Sequence, residues 1–308
     1  MTEAAADVTT SRQVTEQERQ DISALTSAAV AADGAEPLDD QVRLDLEFGA
    51  GSSAHHLCAR VPGSATVIGY AHVTLGSGED AASAHIVVDP EHRRRGVGRT
   101  LVGQLAELSR PSPLRVWAHG DGADAQAFAA NLEMSRVRDL WKMRRTFDRP
   151  VPLPTYPPDI AIRPFHPGRD DEAWVEVNAA AFRNHPEQGG LTLEDLHQRM
   201  AQPWFDPNGF FVADRHGDLV GFHWTKVHQG EESGLPDSVG EVYAVGVHPQ
   251  MQGLGLGTSL TLTGLRHLLE VGLPAVILYV DASNTAAVAV YQRLGFAVVH
   301  VDAMYEHH

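Results

Sequence analysis

The sequence predicts an α/β protein: two tandem domains, each a mixed α+β central sheet with helices on it, joined by a proline-rich linker. One design is present twice. Val247 to Leu260 reads V-H-P-Q-M-Q-G-L-G-L-G-T-S-L, and Val88 to Leu101 reads V-D-P-E-H-R-R-R-G-V-G-R-T-L. Pro249 and Pro90, Gly255 and Gly96, and Gly257 and Gly98 all stand 159 residues apart. Between the copies, Pro150, Pro152, Pro154, Pro157 and Pro158 fall within nine residues. Such a stretch can neither continue a helix nor join a central strand. A chain of 308 residues is also long for one core and comfortable for two. The expected division is residues 1–148, a linker over 149–158, and residues 159–308.

The elements follow in order. Thr15-x-x-Glu18 is a capping box and starts a helix to about Ala32. The apolar neighbours of Cys58 suggest a strand interior. Val67 to Leu75 and Ala84 to Val88 are strands, Val97 to Ser109 a helix, Leu114 to Ala118 a strand, and Ala125 to Leu132 a helix. In the second half Ile160 to Phe165 is a strand, and Asp171 to Phe182 a helix with Trp174, Val177 and Ala181 on one face. Thr192 to Asp195 caps another helix. Phe210 to Ala213 and Leu219 to Val227 flank Arg215-His216-Gly217-Asp218, a hairpin signal. Val239 to Val247 is a strand, Thr258 to Glu270 a helix, Ala275 to Val280 a strand, Thr285 to Leu294 a helix, and Gly295 to Val301 the last strand. The polar first dozen residues read as a frayed terminus without a secretory signal.

Composition narrows the function. The net charge of −16 argues against nucleic acid or an anionic membrane as partner. No apolar run is long enough to span a bilayer. The single cysteine, Cys58, reads as a buried inert thiol and permits no intrachain disulfide. With them goes an expectation of a cytoplasmic enzyme. Seventeen histidines show no H-x-x-x-H or similar ligand frame, so no metal is expected.

Glycines that turn successive N–H groups inward, on a loop that opens a helix, make a cradle for a pyrophosphate. The loop lacks the Gly-Lys-Ser/Thr ending of a triphosphatase loop. It also follows a mid-sheet strand, not the first strand of a dinucleotide-binding fold. With the preceding strand and with Asn284-Thr285-Ala286-Ala287-Val288-Ala289-Val290-Tyr291-Gln292-Arg293-Leu294-Gly295-Phe296, it resembles the GCN5-related N-acetyltransferase (GNAT) family over both halves. The resemblance implies acetyl-CoA as co-substrate, lying between two splayed central strands. Its pantetheine arm would run along Val245, Gly246 and Val247. Its pyrophosphate would sit on Gln252, Gly253, Leu254, Gly255, Leu256, Gly257 and Thr258, with Asn284 to Ala289 beside it. In the first half Ile86, Val87 and Val88, then Arg93, Arg94, Arg95, Gly96, Val97, Gly98 and Arg99, form the matching site with an added basic field.

Amide formation from a thioester needs a base for the ammonium proton, donors for the oxyanion and an acid for the thiolate. By period-two alternation Glu241 shares a strand face with Tyr243, Val245 and Val247. The resemblance makes Glu241 the base, Tyr291 the acid and a backbone N–H near Val245 the oxyanion donor. At the loop offset Glu241 is matched by Ala82. On a register anchored at Leu132 and Leu294, Tyr291 is matched by Ala129 and Asn284 by Gly122. The second half is therefore expected to be the catalyst, and the first a non-catalytic domain that still holds the cofactor or shapes the acceptor cleft. Asp33 to Leu38, His185 to Gly190 and Gly240 to Tyr243 extend the resemblance to tandem members acting on a small-molecule amine borne on a sugar–inositol. On that resemblance Glu36, Glu187, Lys226, Glu241 and Tyr279 would contact the acceptor. A monomer is expected, since paired domains replace a homodimer. Two alternatives stay open: an acetyltransferase for another amine, such as an aminoglycoside or a protein N-terminus, and a non-catalytic acyl-CoA sensor.

Overall fold

The computed structural model describes residues 6–49, 53–76, 80–183, 185–230 and 238–307, without the side chains of Pro186 and Glu187. Two compact units result. One is Met1–Trp141 with Asp281–Ser283 and His300–His308; the other is Lys142–Val280 with Asn284–Val299. The last strand's residues from His300 onward therefore fall with the first unit.

The chain runs β1 (Asp7–Ser11), α1 (Glu16–Asp33), α2 (Asp40–Phe48), β2 (Ala54–Arg60), β3 (Val67–Thr74), β4 (Ala82–Val88), α3 (Val97–Ser109), β5 (Leu114–Ala118), α4 (Ala123–Asn131) and β6 (Ser135–Thr146). It continues β7 (Ala161–Pro164), α5 (Asp171–Ala181), α6 (Pro186–Gly189), α7 (Leu193–Met200), β8 (Phe210–Arg215), β9 (Asp218–His228), β10 (Val239–Val247), α8 (Leu256–Glu270), β11 (Ala275–Asp281), α9 (Thr285–Arg293) and β12 (Ala297–His307).

In the first unit β1 to β4 form an antiparallel meander and β5 pairs parallel to β4 across α3. In the second, β7 to β10 repeat the meander and β11 pairs parallel to β10 across α8. A parallel pair requires such a crossover, so loop and helix are built into the sheet. β5 is also flanked by the far end of β12, with Ala303 opposite Ala118 and His307 opposite Leu114.

Both helix starts read as capping boxes close as such. Thr15 N donates to Glu18 at 2.8 Å, and Thr192 N to Asp195 at 2.8 Å. The second unit buries Trp174, Phe210, Phe222 and Trp224 together, Phe210 and Trp224 stacked 4.4 Å apart. The first packs Leu57, Ile68 and Ala71 under Leu101 and Leu105 of α3, and Tyr70 under Ile22 and Leu25 of α1. A Cβ on Gly264 would collide with the ring of His223, so that glycine lets α8 lie directly on β9. His223 donates Nδ1–H to Leu260 O at 2.7 Å, and full burial pushes its ionisation down to about 4.

The expected frayed terminus is corrected: Asp7–Ser11 is strand β1, with Val8 opposite Ala59. Its β-branched residues find a free edge on β2, which period counting over a short polar stretch does not reveal. The expectation also omitted α2, α6 and β6. The last strand extends beyond Val301 to His307, and α8 starts at Leu256 rather than Thr258. Residues 149–160 form neither helix nor strand. They lie along α8, where Tyr156 OH donates to Ser259 O at 3.1 Å, Ser259 Oγ donates to Thr155 O, and Arg266 reaches Val151 O at 3.4 Å.

Candidate active site

The loop of the second unit begins after Val247 with a 3-10 turn at Pro249–Met251. Gly253 and Gly255 then take left-handed conformations at φ 79° and 80°, and Gly255 caps α8 without any side-chain hydrogen bond. The first-turn N–H groups at Leu256, Gly257 and Thr258 therefore face outward from a positive helix end. A Cβ on Gly253 or Gly255 would meet nothing within 4 Å. Open space before unspent donors is what an anion needs, and these residues fit a pyrophosphate. Gln252 instead braces the loop: its Nε2 donates to Val247 O at 3.1 Å and closes the turn on its own strand.

Beside the loop the sheet opens. β10 and β11 pair only at Gly240 with Val276, Glu241 with Ile277 and Val242 with Leu278, while β10 runs on to Val247 and β11 to Asp281. At the point of parting β10 is bulged: Val242 opposes Thr225 on β9, Ala244 opposes Trp224, and Tyr243 is the extra residue. A bulge leaves one residue out of the ladder and reverses the alternation after it. Tyr243 and Ala244 both pack into the aromatic cluster with Trp174 and Phe222, whereas Val247 packs under α8 with Leu256 and Leu260. The expectation that Glu241 shares a face with Tyr243, Val245 and Val247 thus holds for Tyr243 and fails for the two valines.

Glu241 is 7% exposed, in register opposite Lys226, and its Oε2 accepts from His228 Nε2 at 2.5 Å. Lys226, equally buried, places Nζ 4.7 Å from the Trp204 ring centre and 5.3 Å from that of Tyr243. Arg199 of α7 donates Nε–H to Tyr243 OH at 3.1 Å. A carboxylate, an imidazole, an ammonium and two aromatic rings thus share one face. The sequence expectations did not include His228. The signal was available: on antiparallel strands it stands opposite Val239, diagonal to Glu241 on the same face.

α9 opens on Asn284, whose Oδ1 accepts from Ala287 N at 3.1 Å, so this side chain serves the helix start. Thr285 to Ala289 form the first turn and a half, with Val288 alone buried. Tyr291 packs its ring on Phe296 at 5.8 Å, and burial pushes its hydroxyl up to about 12. Tyr279, on β11, is 43% exposed, with Lys142 Nζ 5.6 Å from its ring centre. Glu187 lies outside the described side chains; its segment is held by paired amide bonds between Asn178 and Gln188 at 2.6 and 3.0 Å.

In the first unit Gly96 caps α3 at φ 92°, and Val97 and Gly98 begin the helix as Leu256 and Gly257 do. Arg93 matches Gln252 and braces its loop in the same way, Nε donating to Val88 O at 3.1 Å. Its Nη1 and Nη2 are committed to Asp33, both at 2.7 Å. Arg94 lies 3.5 Å from Asp124, and Arg95 and Arg99 are exposed. The basic field is thus partly neutralised within the unit. Ile86, Val87 and Val88 lie past the last β4–β5 pair, His85 with Trp117. Glu36 is held by Arg43 at 2.8 Å. Cys58 is buried, which pushes its thiol up to about 11 and keeps it unreactive.

β4 has no bulge, so the matching position for Glu241 also changes. Val88 opposes Gly69 as Val247 opposes Gly221, and counting back along each ladder places Ser83, not Ala82, where Glu241 stands. The constant sequence offset missed this because the bulge inserts one residue. Among the described residues, no three His, Cys, Asp or Glu side chains are grouped to hold a metal ion. No described helix is long and apolar enough to cross a membrane.

Comparison with known proteins agrees with this geometry. The acetyltransferase (GNAT) family model matches residues 22–132 and again 173–296. A mycothiol acetyltransferase of Thermomonospora curvata is 51% identical over 95% of both chains, and one of Frankia alni 48% identical over 92% of this chain and 90% of its own. A GCN5-related N-acetyltransferase from Sphaerobacter thermophilus superposes with a TM-score of 0.68 at 25% identity, covering 99% of this chain and 96% of its own. A tandem GNAT protein from the clavulanic acid biosynthesis pathway superposes at 0.70 with 19% identity over 98% of each chain, which speaks for the fold. With two copies of the fold and relatives alike over nearly their full length, the chain belongs to the GNAT acetyltransferase family and, within it, to the mycothiol acetyltransferase group.

Proposed function

We propose that this enzyme transfers the acetyl group of acetyl-CoA to the cysteinyl amine of cysteinyl glucosaminyl-inositol and so forms mycothiol. The observation that carries the reading is the buried Glu241 on the only one of the two clefts where strands part at a bulge beside an uncapped glycine loop.

The acceptor nitrogen reaches the cleft as an ammonium, since a free α-amine ionises near 8. Glu241 takes its proton, directly or through one water, and the amine attacks the thioester carbonyl. A backbone N–H of the bulged stretch steadies the oxyanion. Tyr291 donates to the departing sulfur. Its hydroxyl, raised to about 12, stays protonated throughout the working range. Protonation lets the sulfur leave as a neutral thiol as charge builds on it.

The loop from Gln252 to Thr258 and the first turn of α9 are proposed to hold the pyrophosphate, with Val245 to Val247 along the pantetheine. Lys226, Tyr279 and Glu187 are proposed acceptor contacts. Glu36 would have to exchange its Arg43 partner to become one. The first unit is proposed to be non-catalytic, and the enzyme to act as a cytoplasmic monomer.

The test is release of CoA thiol from acetyl-CoA, with cysteinyl glucosaminyl-inositol compared against aminoglycosides, N-terminal peptides and simple amines. Turnover with the first and at least a hundredfold less with the others is expected. A preference for another amine would replace the acceptor, and no release with any amine would leave an acyl-CoA sensor.

A further inference from the structure

The base is not alone on its face. Glu241 sits two residues before the bulged Tyr243, its side chain 9% exposed, and one of its two oxygens is taken by His228, whose side chain is 24% exposed. The contact, at 2.5 Å, is a close hydrogen bond to a carboxylate oxygen. It spans a diagonal cross-strand pair: His228 opposes Val239, and Glu241 is two residues further along β10. β9 and β10 are paired antiparallel from Val239 to Val242 without a break, so the backbone holds the two side chains at that spacing.

We propose that His228 is a positioning residue for this reaction: its Nε2–H fixes Glu241 through Oε2 and leaves Oε1 to receive the acceptor's proton. This rests on the reading of Glu241 as the base. The balance is simple. The N–H bond of the ammonium breaks, its proton forms a bond to Oε1, and the nitrogen keeps the electron pair with which it attacks the carbonyl. The hydrogen bond from His228 to Oε2 persists, because that oxygen is an acceptor in the carboxylate and in the acid alike.

Two physical consequences follow. A buried carboxylate without a donor is driven toward its neutral form, which cannot act as a base. A carboxylate without a fixed partner also samples more than one rotamer, which loosens the reacting geometry. Charged or titratable groups on the elements around the pair include Lys226 on β9, Tyr243 on β10, Arg199 on α7, Asp171 on α5 with its partner His197 from α7, and Tyr279 on β11 with Lys142 near its ring, while His223 of β9 turns to Leu260 of α8. Of these, Lys226 stands opposite Glu241 and supplies positive charge. It supplies no imidazole donor to Oε2 along the diagonal.

The experiment compares full-length wild type with His228→Ala, His228→Gln and Glu241→Gln, using acetyl-CoA and cysteinyl glucosaminyl-inositol over a range of pH. In His228→Ala, kcat should drop roughly 10- to 100-fold with KM for acetyl-CoA unchanged. The acid limb of kcat/KM should also move to higher pH. His228→Gln keeps an N–H donor and should recover most of kcat and the wild-type limb. If His228→Ala folds, as judged by its thermal midpoint, and retains wild-type kcat and acid limb while Glu241→Gln is inactive, His228 does not position the base. If His228→Gln is as impaired as His228→Ala, donation to Oε2 is not its role. Full turnover in Glu241→Gln would instead overturn the base and the positioning proposal together.

Discussion

In both units a strand ends at a proline-led 3-10 turn, and a glycine at φ 92° or 80° opens a helix without a side-chain cap. The backbone donors for an anion are thus alike, and so is the brace, Arg93 or Gln252, that ties the loop to its strand. The strands beside the loops differ. β4 keeps unbroken register and stays paired with β5 through His85 and Trp117. β10 bulges at Tyr243 and leaves β11 one position earlier.

What fills the matching space differs as well. In the first unit His85 Nδ1 and His119 Nε2 are 3.0 Å apart, flanked by Asp39 and Asp302, each 3.3 Å away. Trp117, 8% exposed, packs there, whereas its counterpart Tyr279 is 43% exposed. The first cleft satisfies its own polar groups. The second presents Glu241, His228 and Lys226 on one face. One inserted residue makes β10 part from β11 one position before β4 parts from β5, and the two glycine loops are more alike than the side chains beside them.

The strongest probe of this contrast is Glu241→Gln, which should lower kcat by about 10² to 10⁴ with acetyl-CoA binding retained. Ser83→Ala, at the matching register, should leave kcat unchanged. Equal losses would mean that both clefts turn over. Tyr291→Phe comes next, with kcat lowered about 10- to 100-fold. Because the hydroxyl lies near 12, that ratio should stay constant from pH 7 to 9. A ratio that closes within this range would remove Tyr291 as the acid.

Gly255→Ala forces an alanine to φ 80° and adds a methyl before the anion cradle. KM for acetyl-CoA should rise about tenfold, since relief of the strain turns the first-turn N–H groups of α8 and the methyl stands before them. Gly96→Ala should leave steady-state kinetics alone. The smallest expected effect concerns acid stability. His223 and His56 are both held neutral by burial, down to about 4 against an ordinary value of 6.5. The unfolded chain therefore binds more protons between those values. Stability conferred by the neutral rings is full above about 6.5 and is lost as pH falls toward 4. Thermal midpoints should decline through that window for wild type and less steeply for a folded His223→Gln. Parallel slopes would show that other groups govern it.

Much of this was legible in the residues. Helix starts at Thr15 and Thr192, the hairpin at His216 and Gly217, and both glycine loops are local devices, set by side-chain caps and backbone sterics within four residues. Strand β1 was not legible. A short polar segment becomes a strand only because β2 offers it an edge.

The sequence by itself determined that the fold is duplicated, where each glycine loop lies, and that Glu241 and Tyr291 occur in one copy alone. These follow from residue identity and spacing. Only the tertiary structure decided which residues share a face and what each side chain is free to do. The bulge at Tyr243 reversed the alternation and moved the match of Glu241 from Ala82 to Ser83, while the unbroken pairing before it set His228 beside Glu241. Pairing also spent Arg93 on Asp33 and carried the end of β12 to β5. Register and pairing depend on strands far apart in the chain, and local spacing carries no record of an inserted residue.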